Sequence, residues 1–281
     1  MATETTREIA LATPTPVAAP RARRGLPTTA RRALILLAIL LLWQGYVVVS
    51  NVPPLLIPSP LAVAQALLQD IASGRIPAAT YTTLYSLVVG TLLGTLAGFA
   101  LASLAVLFRP GQDLLALLSA ILNPLPSIAV LPLAMIWFGL NETAIIFVIV
   151  QATLWPIAIA TDMGFRTISP TLHMVARNLG LRGLRLVVDV LLPAALPHIL
   201  SGLKAGWAFG WRTVVAAELV FGVAGAAGGL GWYINDSRYF LNTANVFAGL
   251  VVISLLGILV DLLFTLIEQQ TVVKWGMKHG V

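Results

Sequence analysis

The chain has no cysteine among its 281 residues, and Asp, Glu, Lys and Arg together make up only 10% of it. Soluble domains carry roughly a quarter charged residues. The missing Cys excludes a disulfide-stapled secreted scaffold and a Cys-ligated metal centre. The three His (His173, His198 and His279) are isolated and offer no metal-ligand spacing. The dipeptide Gly-Lys never occurs, which excludes a phosphate loop of the GxxxxGK type. HExxH and GxSxG are also absent, and no pair of carboxylates shares an expected helix face. No catalytic residue is assigned, and no cofactor is expected on this chain.

What the sequence has is apolar length. Hydrophobic residues make up 58% of it. Six runs, at about 33–50, 84–108, 114–138, 143–161, 199–223 and 246–267, are long enough for a helix across a hydrocarbon core of about 30 Å. Helices are expected because each must satisfy its own backbone within the bilayer. Barrel strands are excluded by the length and continuity of the runs. The reading is an all-α integral membrane protein with six transmembrane helices.

The net charge of +6 then has a topological meaning. Thirteen Lys and Arg fall before the first run, between runs two and three, between four and five, or after the sixth. The other side holds only Arg75 and Arg238, while Lys204 and Arg212 fall in or beside run five. The positive-inside rule puts both termini in the cytoplasm. The basic excess therefore needs no nucleic acid partner. Residues 1–32, rich in Pro, Ala, Thr and Arg, read as a disordered cytoplasmic tail. Residues 33–275 form the permeation domain and 276–281 a short cytoplasmic tail. A cleaved signal peptide fits poorly, since Ser50-Asn51-Val52-Pro53-Pro54 has no small-x-small site. Arg23-Arg24 reads as a juxtamembrane cluster rather than a twin-arginine signal.

Two connections are long. In the first outer loop, residues 61–72 suit a short interfacial helix. In the loop after run four, Ser169 is a suitable N-cap, Pro170 a suitable first helical residue, and Gly180 suits the left-handed stop. The bounded helix between them is either a plain connector or a docking element for a cytoplasmic partner. The Gly-rich run at 222–231 reads as a tight turn and close-packing segment.

Glycines four apart form stripes at Gly90, Gly94 and Gly98, and at Gly202, Gly206 and Gly210. Such stripes let helices approach closely, within one subunit or between two. Arg212 lies near mid-depth in run five and must find a partner or a wet cavity. Glu218 lies six residues on, on a different face. Asn123-Pro124-Leu125-Pro126-Ser127 interrupts run three, and such unwound backbone is tolerated where it lines a cavity. Asn123, Ser127, Gln151, Arg212 and Glu218 are the candidate translocation-pathway residues. For Arg212 and Glu218 a structural pair with another helix is the competing role.

The loop after run four resembles the signature of importer permeases of the ATP-binding-cassette class, E-A-A-x3-G-x9-I-x-L-P. Here it reads Met174-Val175-Ala176, then Gly180, then Val190-Leu191-Leu192-Pro193, with the spacing kept. Met174 replaces the usual Glu, which removes its ion pair and leaves Arg177 to supply a polar contact. The chain is further similar to the nitrate, sulfonate, taurine and bicarbonate branch of these permeases. That likeness rests on Leu56-Ile57-Pro58-Ser59-Pro60, on the segments 126–133, 137–142 and 211–219, and on Gly229-Leu230-Gly231-Trp232-Tyr233-Ile234.

The resemblance implies a type I importer transmembrane-domain fold in a bacterial inner membrane. It implies a homodimer, two cytoplasmic ATPase subunits that bind ATP and Mg, and an external solute-binding protein. The coupling helix and its continuation (Met174, Val175, Ala176, Arg177, Leu179, Gly180, Leu192, Pro193) would meet the ATPase. Transport would be alternating access for a small, anionic solute. A secondary transporter or channel is the rival reading, but inverted repeats are not evident. A membrane enzyme would need a polar catalytic cluster, and none is visible.

Overall fold

The structure is a computed structural model that describes residues 27–221 and 228–273. Regular structure among the described residues is entirely helical. Most of the expected N-terminal tail, the 276–281 tail and residues 222–227 of the Gly-rich run lie outside the described residues. Helix α1 (Thr28–Val49) starts before the expected boundary at 33 and includes residues 28–32. Taken by itself, α1 is 22 residues long, apolar and without a buried residue.

From Gln44 onward the chain forms one compact unit. Helix α2 (Pro60–Ala72) is capped by Ser59, whose Oγ accepts from the Ala62 amide at 3.2 Å. Helix α3 (Arg75–Leu107) starts nine residues before the expected 84. Its 33 residues span roughly 50 Å, more than the hydrocarbon core needs. The extra turns carry Arg75, Thr80, Thr82 and Thr83, which are too polar to register as membrane span.

The third expected span is not one helix. Helix α4 (Arg109–Leu122) and helix α5 (Ser127–Phe138) meet at 100° across Asn123–Pro126. Pro124 and Pro126 cannot supply the amides that a continuous helix requires. Gln151 steadies the break, donating its Nε2 to the Leu122 carbonyl at 3.1 Å. Helix α6 (Glu142–Thr167) is capped by Asn141, whose Oδ1 accepts from the Thr143 amide at 2.9 Å.

Helix α7 (Pro170–Asn178) has the caps the sequence announced. Ser169 Oγ accepts from the Leu172 amide, and Gly180 sits at φ +80°. The Gly180 and Leu181 amides close back on Arg177 and Ala176, both at 3.0 Å, which is the Schellman stop. The chain continues through α8 (Gly183–Leu186), a π-helical turn (Val187–Leu191) and α9 (Leu192–Ala194). It then bends 80° into α10 (Leu196–Phe221), where Pro193 and Pro197 interrupt the amide ladder. Helices α11 (Leu230–Tyr239) and α12 (Thr243–Glu268) follow.

Among the described residues, four helices are long and apolar enough to cross a membrane, and the two bent pairs raise that to six if each is one span. Helix α6 is the core of the bundle. It packs most extensively against α3 and α10, and 44% of its apolar window is buried against 6% for α12. Both glycine stripes serve α6. A Cβ on Gly90 would come within 2.6 Å of Ile149, and one on Gly94 would strike Thr153. Gly98 faces the Leu154 carbonyl, Gly202 faces Ala160, Gly206 faces Ile157, and Gly210 faces Thr153. The stripes are therefore spent on close packing inside the chain.

Candidate functional site

Three polar or small-residue clusters lie along this bundle. The first is at the α7 end. Ala176 is 2% exposed and sits in a core with Ala102 of α3, Phe165 of α6, Val187, Leu191 and Ile199. Leu192 packs on the same core. Two of the eight coupling residues therefore fasten the helix to the spans. Met174, Val175, Arg177, Leu179, Gly180 and Pro193 remain exposed, with Leu179 at 74%. A small residue at 176 suits this seat.

The second cluster is an open cavity of about 400 Å³ at the α4–α5 break, also lined by α6 and α10. It brings together Asn123 and Ser127 at the break with Gln151 of α6 and Arg212 of α10. Arg212 makes no hydrogen bond or ion pair among the described residues. Trp155 and Phe209, neither of them singled out from the sequence, line the same space. The Trp155 side chain is buried, and its indole Nε1 has no acceptor.

Glu218 does not line this cavity. It is 5% exposed and belongs to the third cluster, at the start of α11. Its carboxylate accepts from the Thr83 hydroxyl at 2.9 Å and from the Gly231 amide at 2.9 Å. Thr83 Oγ1 in turn accepts from the Leu230 amide at 2.8 Å. A carboxylate at a helix N-terminus is favoured by the exposed amides and the dipole. Glycine is needed at 231, where a Cβ would meet the Val215 carbonyl at 2.5 Å.

Next to it, Asp70 of α2 accepts from the Tyr233 hydroxyl at 2.6 Å and from Asn245 Nδ2 at 2.7 Å. Arg75 reaches Asp70 and Asp236, and lies over the Tyr233 ring. Burial, then the bond to Asp70, pushes the Tyr233 hydroxyl well above the ordinary tyrosine range. The sequence hinted at none of these partners. Lys204 is likewise tied, to Asp261 of α12 at 2.7 Å. A lone Asp in the sixth apolar run was the available signal.

A polytopic helical bundle with a polar cavity at a broken span, and a capped amphipathic helix at one end, is the framework of a transport permease. Comparison with known proteins agrees. Residues 90–273 match the family described as "Binding-protein-dependent transport system inner membrane component". A putative aliphatic sulfonates transport permease of Bacillus subtilis is 31% identical over 245 residues, 87% of each chain. The taurine transport system permease of Escherichia coli is 33% identical, over 80% of this chain and 83% of that one. The nitrate import permease of Leptolyngbya laminosa is 33% identical over 68% and 67%. The chain belongs to this family and is a permease component of an ATP-binding-cassette importer.

Proposed function

We propose that this chain forms the membrane pathway of an ATP-driven importer for a small oxyanion of the sulfonate or nitrate type. The solute class follows that named for its relatives. An external binding protein delivers the solute. Two ATPase subunits on the cytoplasmic side supply the energy, binding ATP and Mg, and no cofactor is held by this chain. Two copies of the permease form the dimer in a bacterial inner membrane, with both termini cytoplasmic and α7 on the cytoplasmic face. The rival of an ATP-independent transporter or channel has no such use for α7.

The observation that carries the reading is the division of α7 into two faces. Ala176 anchors it in a core shared with α3, α6 and α10. Met174, Val175 and Leu179 stand free beside Arg177. A load applied to the free face reaches three spans through close-packed side chains, because such cores are not continuously deformable. Asn123, Ser127, Gln151 and Arg212 line the pathway, and Glu218 braces it from outside the cavity.

The experiment is to reconstitute the permease with its ATPase and to measure hydrolysis stimulated by the binding protein. Leu179→Asp is expected to abolish the stimulation while leaving the melting temperature of the permease unchanged. Full stimulation in that variant, or a permease that transports without any ATPase, overturns the reading.

A further inference from the structure

We propose that the turn between α11 and α12 is the surface on which the external binding protein docks, with Leu241 as its apolar anchor and Arg238 as its charged contact; this rests on the importer reading above. Two helix ends in the chain close with the same pair of bonds. At α7 the Gly180 amide returns to Arg177 and the Leu181 amide to Ala176. At α11 the Leu241 amide returns to the Arg238 carbonyl at 3.0 Å, and the Asn242 amide to that of Ser237 at 2.8 Å. Such a stop puts one residue in the left-handed region, where glycine is the ordinary choice. Gly180 takes that place in α7 at φ +80°, but Leu241 takes it in α11 at φ +58°. A Cβ in that region meets steric strain. Leu241 is 66% exposed, so packing inside the chain does not offset the strain. Backbone strain of this kind clusters at binding and switching segments.

The neighbours of Leu241 supply the rest of a contact surface. Tyr239 and Phe240 are each 72% exposed. Thr243 Oγ1 donates to the Leu55 carbonyl at 2.6 Å, which sets the exposed Leu55 and Leu56 beside the turn. Apolar surface gathered in this way and rimmed by polar groups marks an interaction site. Arg75 and Arg238 are the two cations expected on the outer side. Arg75 is committed to Asp70 and Asp236. Arg238 lies over the Tyr239 ring at 5.1 Å and makes no ion pair among the described residues. The free charge of this surface is therefore positive, and its complement is an apolar pocket with an acidic rim. Exposed Tyr, Phe and Arg side by side are also the residue types that protein interfaces favour. Polar residues bracket the tip, Asn235 to Arg238 before it and Asn242, Thr243 and Asn245 after it. The tip thus stands at the water end of α12 rather than in its apolar run, and the partner that reaches the outer end from water is the binding protein.

The test uses the full-length permease in phosphatidylcholine nanodiscs and the purified binding protein of the same importer. The chain has no Cys, so Phe240→Cys offers a single site for a spin label. The label is expected to be open to an aqueous nickel relaxant, and to lose that access and its mobility saturably as binding protein is added. Leu241→Gly is expected to keep or raise the melting temperature, because it relieves the backbone, and yet to weaken binding about tenfold, the loss of one apolar anchor. Arg238→Glu is expected to weaken binding about tenfold or more at low salt, with the loss shrinking as salt rises. A label that oxygen reaches and nickel does not marks a turn sunk in lipid and overturns the proposal. So does a label that the binding protein leaves mobile, a melting temperature that falls in Leu241→Gly, or unchanged affinity in either variant. A complex whose hydrolysis the binding protein stimulates equally in both variants keeps the importer and loses this surface. A label immobilised by the binding protein on a permease that no ATPase drives keeps the surface and loses the importer.

Discussion

Arg212 and Glu218 stand six residues apart on one helix, yet the fold treats them in opposite ways. Glu218 is sealed between α3 and the start of α11, with three donor contacts from Thr83 and Gly231. Arg212 opens onto a cavity and keeps its donors free. Six residues turn the helix about 240°, so one helix presents its carboxylate to the bundle and its guanidinium to the space beside it. The comparison separates a charge that holds the fold from a charge left over after folding. Only the second has binding capacity to spare.

Stability measurements in detergent can break that distinction. Glu218→Leu leaves the Thr83 hydroxyl and the Gly231 amide without their acceptor and is expected to cost about 3 kcal/mol. Thr83→Val should cost about 2 kcal/mol, and the two changes should couple strongly in a double-mutant cycle, whereas Glu218 and Arg212 should be additive. Additive costs for Glu218 and Thr83 would show that the brace is not a unit.

Tyr233→Phe is the middle case. It removes the hydroxyl that donates to Asp70 and should cost about 1 kcal/mol. The sign of its pH dependence is set by the raised ionisation of that hydroxyl in the folded protein. The contribution is fully present below the unfolded value of about 10 and is lost as pH rises through the folded one. Unfolding at neutral and alkaline pH should therefore show the gap between parent and variant closing as pH increases. A gap that widens with pH would contradict the assignment.

The smallest effect is expected for Arg212→Gln. With no partner to lose, its melting midpoint should correspond to a change within about 0.5 kcal/mol. A loss as large as that of Glu218→Leu would place Arg212 among the structural charges and empty the cavity of its main donor.

Some of this was legible in advance. The capped helix at Ser169–Gly180 was readable because caps and stops are local chemistry. The break at 123–127 was readable because proline acts on its own turn. Asn123, Ser127, Gln151 and Arg212, which line one cavity, could be singled out because polar groups in apolar runs are conspicuous. Trp155 was invisible, since an indole in a greasy run reads as packing until its N–H is found without an acceptor. Glu218 could not be assigned, because its partner Thr83 lies 135 residues away on another helix. Ala176 was placed with the docking residues because its motif position says nothing about which way it faces.

The scarcity of charge and the long apolar runs by themselves determined a helical membrane protein, since hydrophobic length and backbone satisfaction leave no other architecture. The signature spacing determined the family. Only the tertiary structure decided which of the few charges are committed and which are free. That decision depends on what stands opposite each side chain, and opposition across α3, α6, α10 and α11 is set by packing rather than by order along the chain.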